Sequence, residues 1–130
     1  VKIGAFQTIS GIVTEGYLGP MYTKFPTPSD IEKNFKELEE LYTASFQDFL
    51  KFLPSGGKVV ICLPSYKHSR GYTGFPTLDF ITKIGYNTVD LVPSILADSM
   101  PFLKLTDRKT AIYDRKDQIV AREIVIFEKS

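Results

Sequence analysis

Ser10-Gly11-Ile12-Val13-Thr14-Glu15-Gly16-Tyr17-Leu18-Gly19-Pro20 decides how the rest of the chain is read. A short apolar run ends in a carboxylate, and glycine, tyrosine, a second glycine and proline follow at once. That order predicts a short, central strand over Ile12 to Thr14 that opens into a tight loop. The carboxylate of Glu15 and the ring of Tyr17 are then presented at the strand's carboxyl end. Gly16 and Gly19 supply close backbone approach or positive φ. To the N-terminal side, Val1 to Ile9 reads equally as a short strand or as a lead-in.

Outward from this stretch the chain alternates strands and helices. Gly16, Gly19, Pro20, Pro26 and Pro28 keep residues 16–28 irregular, with Tyr17, Tyr22 and Phe25 as loop aromatics. Ser29 with Glu32 three residues on reads as a capping box. A helix over roughly 30–53 follows, because Ile31, Phe35, Leu38, Tyr42, Phe46, Phe49 and Leu53 form one apolar stripe. Pro54-Ser55-Gly56-Gly57 stops it. Lys58 to Leu63 has no polar alternation and predicts a strand buried on both faces, ended by Pro64. Residues 65–76 form a basic, aromatic, glycine-punctuated loop. A short helix over 77–84 is capped by Gly85, and Asn87 to Val92 alternates as a strand. Residues 93–107 read as irregular or as a short turn of helix, and Lys109 to Tyr113 and Ile119 to Phe127 form a closing hairpin with both faces covered. Strand–helix–strand units with short loops imply parallel strands. The expected fold class is α/β, a three-layer sheet, mostly parallel with an antiparallel closing strand.

Composition limits the functions available. The 130 residues carry no internal repeat and suit one domain, and at 43% hydrophobic and 24% charged they suit a folded, soluble one. Net charge is +1, so no global field points at nucleic acid and any basic patch must be local. The lone Cys62 excludes an internal disulfide and a cysteine metal site, which fits a reducing, cytoplasmic setting. No apolar run approaches a membrane span and no signal peptide is visible. The chain starts at Val1, which suits an excerpt of a longer product.

In an open α/β sheet, ligands bind beyond the carboxyl ends of parallel strands. Residues 15–28, 64–76 and 93–118 would gather there. They hold Lys24, Lys67, Arg70, Lys104, Arg108, Lys109, Arg115 and Lys116 against Glu15, Asp98, Asp107, Asp114 and Asp117, a net +3. Cations interleaved with tyrosines, Tyr66 among them, suit a polyanion that carries bases. The blander alternative is that these loops are simply polar. Glu15 would accept hydrogen bonds from an amino group while a ring stacks on a flat substrate; otherwise such an acid orders its own loop. His68 has no second histidine and no acid at ligand spacing, so no metal site is expected. It reads as a phosphate or surface contact. Cys62 reads as a buried small hydrophobe.

Ile12-Val13-Thr14-Glu15-Gly16-Tyr17-Leu18-Gly19-Pro20 resembles the fourth motif of Rossmann-fold amino-methyltransferases. Gly56-Gly57-Lys58 before a buried strand resembles the same group, as does the tail from Tyr113 to Ile124. The likeness is to tRNA guanine-N2 methyltransferases and related DNA modification methylases, and it covers nearly the whole chain as the second half of that fold, strands four to seven. It implies transfer of a methyl group from S-adenosylmethionine to an exocyclic amino group of a base in RNA or DNA, with no metal. Glu15 and Tyr17 would be the catalytic pair, with Tyr17 or Leu18 as the stacking residue. Thr14, Gly16, Leu18, Gly19, Pro20, Tyr66, Lys67, Arg70 and Arg115 would contact substrate. Gly16 stands where that family has proline. The family's glycine-rich turn after its first strand and acid after its second, which bind the cofactor, do not occur in this sequence. The segment by itself is therefore expected to be inactive until a missing N-terminal half, or a second copy, completes it.

Two other functions fit the same residues. One is a non-catalytic interaction or oligomerisation domain that pairs through the exposed edge of its first strand. The other is a small-molecule methyltransferase that uses the same loop.

Overall fold

The computed structural model describes residues 9–130. The open reading of Val1 to Ile9 therefore lies outside the described residues, except that the Ile9 amide donates to the Phe52 carbonyl. The elements are β1 (Gly11–Thr14), α1 (Pro28–Phe49), β2 (Lys58–His68), β3 (Gly71–Thr73), α2 (Asp79–Thr82), β4 (Tyr86–Val89), α3 (Ser94–Ala97), β5 (Lys104–Leu105), β6 (Ala111–Tyr113) and β7 (Val120–Lys129).

Two long strands, β2 and β7, form the spine of one mixed sheet in the order β1-β2-β7-β6-β5. They pair antiparallel from Lys58↔Glu128 to Tyr66↔Val120. Each carries two short strands along its other flank. On β2, parallel β1 lies against Lys58–Ile61 and antiparallel β3 against Tyr66–His68. On β7, both β4 and β6 are antiparallel. The closing strand is antiparallel, as expected, but the sheet is mostly antiparallel instead of mostly parallel. β2 and β4 do run in the same direction, as their crossover requires. The closing strand lies between them, so their common direction never becomes a parallel pair.

Helix α1 is where the apolar stripe places it, but it starts two residues early. Thr27, not Ser29, is the N-cap: its Oγ1 accepts from the Asp30 amide, and Asp30 Oδ2 accepts from the Thr27 amide, both at 3.1 Å. Pro28 takes the first helical position, where its missing N–H costs nothing. α1 ends at Phe49 with Leu50 as its cap, short of the expected Leu53. β2 does not stop at Pro64 but runs on to His68. Along residues 62–65 its flank away from β7 is paired by neither β1 nor β3, so a proline there interrupts no ladder on that side. The basic loop expected over 65–76 is therefore largely a hairpin.

The core is aromatic. Phe46 is fully buried and meets Tyr86 and Phe127 edge-on, while Phe35 packs on Tyr66 and Phe75. α1 and α2 contribute to this same cluster, with Phe80 and Ile81 from α2. The expectation of two covered faces is not met. Val59, Ile61, Leu63, Val125 and Phe127 are buried, but the alternate residues Val60, Cys62, Ile124 and Ile126 are only half-buried and Val13 is 82% exposed. Among the described residues the sheet has two layers, not three.

Candidate functional site

The loop after β1 is strapped to α1 and β2 by buried polar groups. Tyr42, two turns after Asn34 on the inner face of α1, donates its hydroxyl to the Tyr17 carbonyl. The Asn34 amide donates to the Tyr66 hydroxyl and, at 3.4 Å, to the Leu18 carbonyl. Burial pushes both Tyr42 and Tyr66 up to about 12, so both hydroxyls stay protonated and able to donate. Gly16 and Gly19 have φ of 72° and 105°. A side chain at Gly16 would meet the Tyr42 hydroxyl at 2.6 Å, and one at Gly19 would meet the Asn34 amide. Both glycines are therefore required by close approach and by backbone hand together.

This strapping fixes where Glu15 and Tyr17 point. Thr14 Oγ1 accepts from the Gly16 amide at 3.2 Å and closes the turn that carries Glu15. Glu15 Oε1 accepts from Arg122 Nε at 2.5 Å, and Arg122 donates from Nη1 to Gln118. β2 lies between β1 and β7, so this ion pair spans the middle strand beyond the last rung of β1. The Glu15 side chain remains 58% exposed, and Tyr17 is 56% exposed although its own carbonyl is held. Leu18 is half-buried and Pro20 exposed. Cys62 lies beneath the pair. It is half-buried rather than fully buried, and desolvation first, then the Glu15 charge, pushes its thiol up.

Of the other sequence-predicted residues, Tyr66 and Lys67 line one cleft and Arg70 a second, and Arg115 lines neither. A cleft of about 910 Å³ is walled mainly by Phe25, Pro26, Ile31, Phe35, Tyr66 and Pro76, with His68, Ser69 and Thr73 at its rim. A second, of about 650 Å³, is polar: Arg70, Tyr72, Lys104, Thr106 and Arg108 line it with Ser65 and Glu123. Neither cleft is lined by Glu15 or Tyr17. Two expected substrate contacts are otherwise engaged. Lys67 pairs with Asp114 at 2.6 Å and donates to the Arg115 carbonyl, so Lys67 is spent on the fold and Arg115 contributes its backbone. The Lys67 contact, ahead of the Tyr72 hydroxyl, holds the Asp114 carboxyl below its usual value. Arg108 is committed as well, bonding Glu123 through Nε and Nη2 and the Phe75 carbonyl through Nη1. Arg70 remains exposed at the hairpin turn, with the His68 ring accepting from its amide. Sequence reasoning missed Asn34, Arg122 and Glu123. An amide within the apolar stripe of α1, and charges among the alternating apolar residues of β7, were the available signals.

No family model matches the chain, and no curated protein does. Among solved structures it is similar to a protein of Thermus thermophilus described as a "Putative DNA Modification Methylase". The likeness has 17% identity and a TM-score of 0.47, over 94% of this chain and 46% of that one. A structure of the same protein complexed with S-adenosyl-L-methionine is similar at 16% identity and a TM-score of 0.40, over 96% and 48%. The chain spans about half the length of the structures it matches. The resemblance is partial and at the level of fold.

S-adenosylmethionine does not fit the described residues of this chain as a complete site. At Gly16 and Gly19, two of the five positive-φ glycines, the space a ligand would need is already taken by Tyr42 and Asn34. Among the described residues no cluster of histidine, cysteine and acids could hold a metal, and no helix is long and apolar enough to cross a membrane.

Proposed function

We propose that this chain is the target-orienting half of an amino-methyltransferase that acts on a base in RNA or DNA. The supporting observation is the posture of Glu15. It sits one residue past the end of the parallel strand β1, with Oε1 fixed by Arg122 and more than half of the side chain accessible. A carboxylate held this way accepts a hydrogen bond from an exocyclic amino group and turns the nitrogen toward a methyl donor. That is catalysis by orientation and electrostatics. Tyr17 supplies an accessible ring beside it, on a loop whose backbone Tyr42 and Asn34 immobilise. The methyl donor's binding groups come from residues outside those described.

The test is methyl transfer from labelled S-adenosylmethionine to nucleic acid by the full-length protein, in wild type and in Glu15→Ala. Loss of transfer with an unchanged fold supports the reading, and unchanged transfer refutes it. The rival reading as an interaction domain draws on the half-covered sheet face with Val13 exposed. Concentration-dependent self-association without methyl transfer would favour it.

A further inference from the structure

Residues of the β2–β3 hairpin line two clefts of different chemistry. β3 is three residues long, and its side chains alternate. Thr73, opposite Tyr66, lines the aromatic cleft and Tyr72 lines the polar one, while Lys67, opposite Tyr72, also lines the aromatic cleft with its charge paired to Asp114. The aromatic cleft is lined by Phe25, 68% exposed, together with Phe35 and Tyr66, which are themselves buried in the core. On the polar side the Arg108 charge is cancelled by Glu123. Arg70 and Lys104 remain, both exposed, against the lining acid Asp107; Asp114, which shares the Tyr72 hydroxyl with Lys104, is already paired with Lys67. Lys104 is held over the Tyr72 ring at 5.6 Å and donates to its hydroxyl at 3.1 Å.

A flat apolar group in one cleft and an anion in the other is the chemistry of a nucleotide within a strand. We infer that the hairpin is a saddle for single-stranded nucleic acid. It takes an unstacked base against Phe25 in the aromatic cleft and the adjoining phosphates on Arg70 and Lys104. The inference rests on the proposed function for its substrate class but concerns a different surface, since Glu15 and Tyr17 line neither cleft. The saddle would hold a nucleotide flanking the target, and the Glu15 loop the target itself. Base–ring stacking tolerates any sequence, so the saddle grips without selecting.

Binding of the 130-residue chain to labelled 12-mers, read by fluorescence anisotropy over a salt series, tests this. The probes are a single strand in DNA and in RNA form, its duplex, and a strand of the same length without bases. The wild type should prefer either single strand to the duplex and to the base-free strand by about tenfold or more. Phe25→Ala should abolish the preference over the base-free strand. Arg70→Ala with Lys104→Ala should weaken binding to both and flatten the salt slope by about 0.7 for each cation removed. Equal affinity for base-free and normal strands, equal affinity for duplex, or competition by a nucleoside monophosphate as tight as by the 12-mer would overturn the saddle. All these substitutions lie on exposed side chains, so circular dichroism should confirm an intact fold. If binding ignores these residues while methyl transfer needs Glu15, the saddle fails and the proposed function stands. If binding follows them while transfer ignores Glu15, the reverse holds.

Discussion

Arg122 on the closing strand donates from Nε to Oε1 of Glu15, 107 positions away, at 2.5 Å. The contact joins the first strand to the last across β2. Removing either partner should have little effect on stability, because Glu15 is mostly exposed and exposed pairs contribute about 0–1 kcal/mol. The effect on chemistry should be much larger. Arg122→Ala in the full-length protein is expected to lower kcat for methyl transfer by roughly tenfold or more while leaving the urea midpoint nearly unchanged. Arg122→Lys should recover part of that loss, because a lysine keeps the charge but not the guanidinium fork.

The loop after β1 depends on two glycines. Gly19→Ala places a methyl group against the Asn34 amide at a φ of 105°, so backbone strain and overlap act together. A loss of about 1–3 kcal/mol is expected from such a position. Gly71→Ala serves as a control: its φ of 134° is also positive, but nothing lies within 4 Å of the added carbon. Chemical denaturation of both variants separates overlap from strain, and Gly19→Ala should be the less stable.

Glu123 is 1% exposed in the middle of β7 and is fully engaged by Arg108 and by Thr110 Oγ1. Arg108→Ala would leave a buried carboxylate unpaired, at a cost of roughly 3 kcal/mol, the lower end of the range for such pairs because Arg108 is 30% exposed. Arg108→Ala with Glu123→Gln should be less destabilised than Arg108→Ala alone. Thermal melts of the two variants give the comparison.

Tyr42, Tyr66 and Tyr86 are pushed up to about 12 by burial. Their unfolded value is near 10, so the folded chain holds these protons more tightly. The associated stability is complete below about pH 10 and is lost as pH rises from there toward about 12. The tyrosinate absorbance of the native protein should show these three titrating last, and Tyr86→Phe should blunt the alkaline loss of stability.

Much of the fold was legible because its signals are local. The stripe from Ile31 to Leu53 predicted α1, although Pro54-Ser55-Gly56-Gly57 put its end four residues beyond the observed Phe49, and the apolar run in 119–127 predicted the closing strand. Sheet order was not legible, because nothing in the local pattern of β7 says that it enters between β2 and β4. The continuation of β2 through Pro64 was hidden for a similar reason: a proline is harmless only because that flank of β2 has no partner there. At the site, the glycine–tyrosine loop was read correctly as a tight turn with positive φ. Its anchors Asn34, Tyr42 and Arg122 become visible only when distant segments meet. The pairing of Lys67 with Asp114 was hidden for the same reason, because the two are remote in sequence.

If Glu15 orients an amino group for methylation, its negative charge is what the reaction needs. The most direct measurement is single-turnover methyl transfer from labelled S-adenosylmethionine to nucleic acid by the full-length protein, comparing wild type with Glu15→Gln. That change keeps the shape of the side chain and removes its charge. The rate should fall about 100-fold or more, with nucleic-acid affinity within a fewfold of wild type. A Glu15→Gln protein that transfers methyl groups at the wild-type rate would contradict that orienting role.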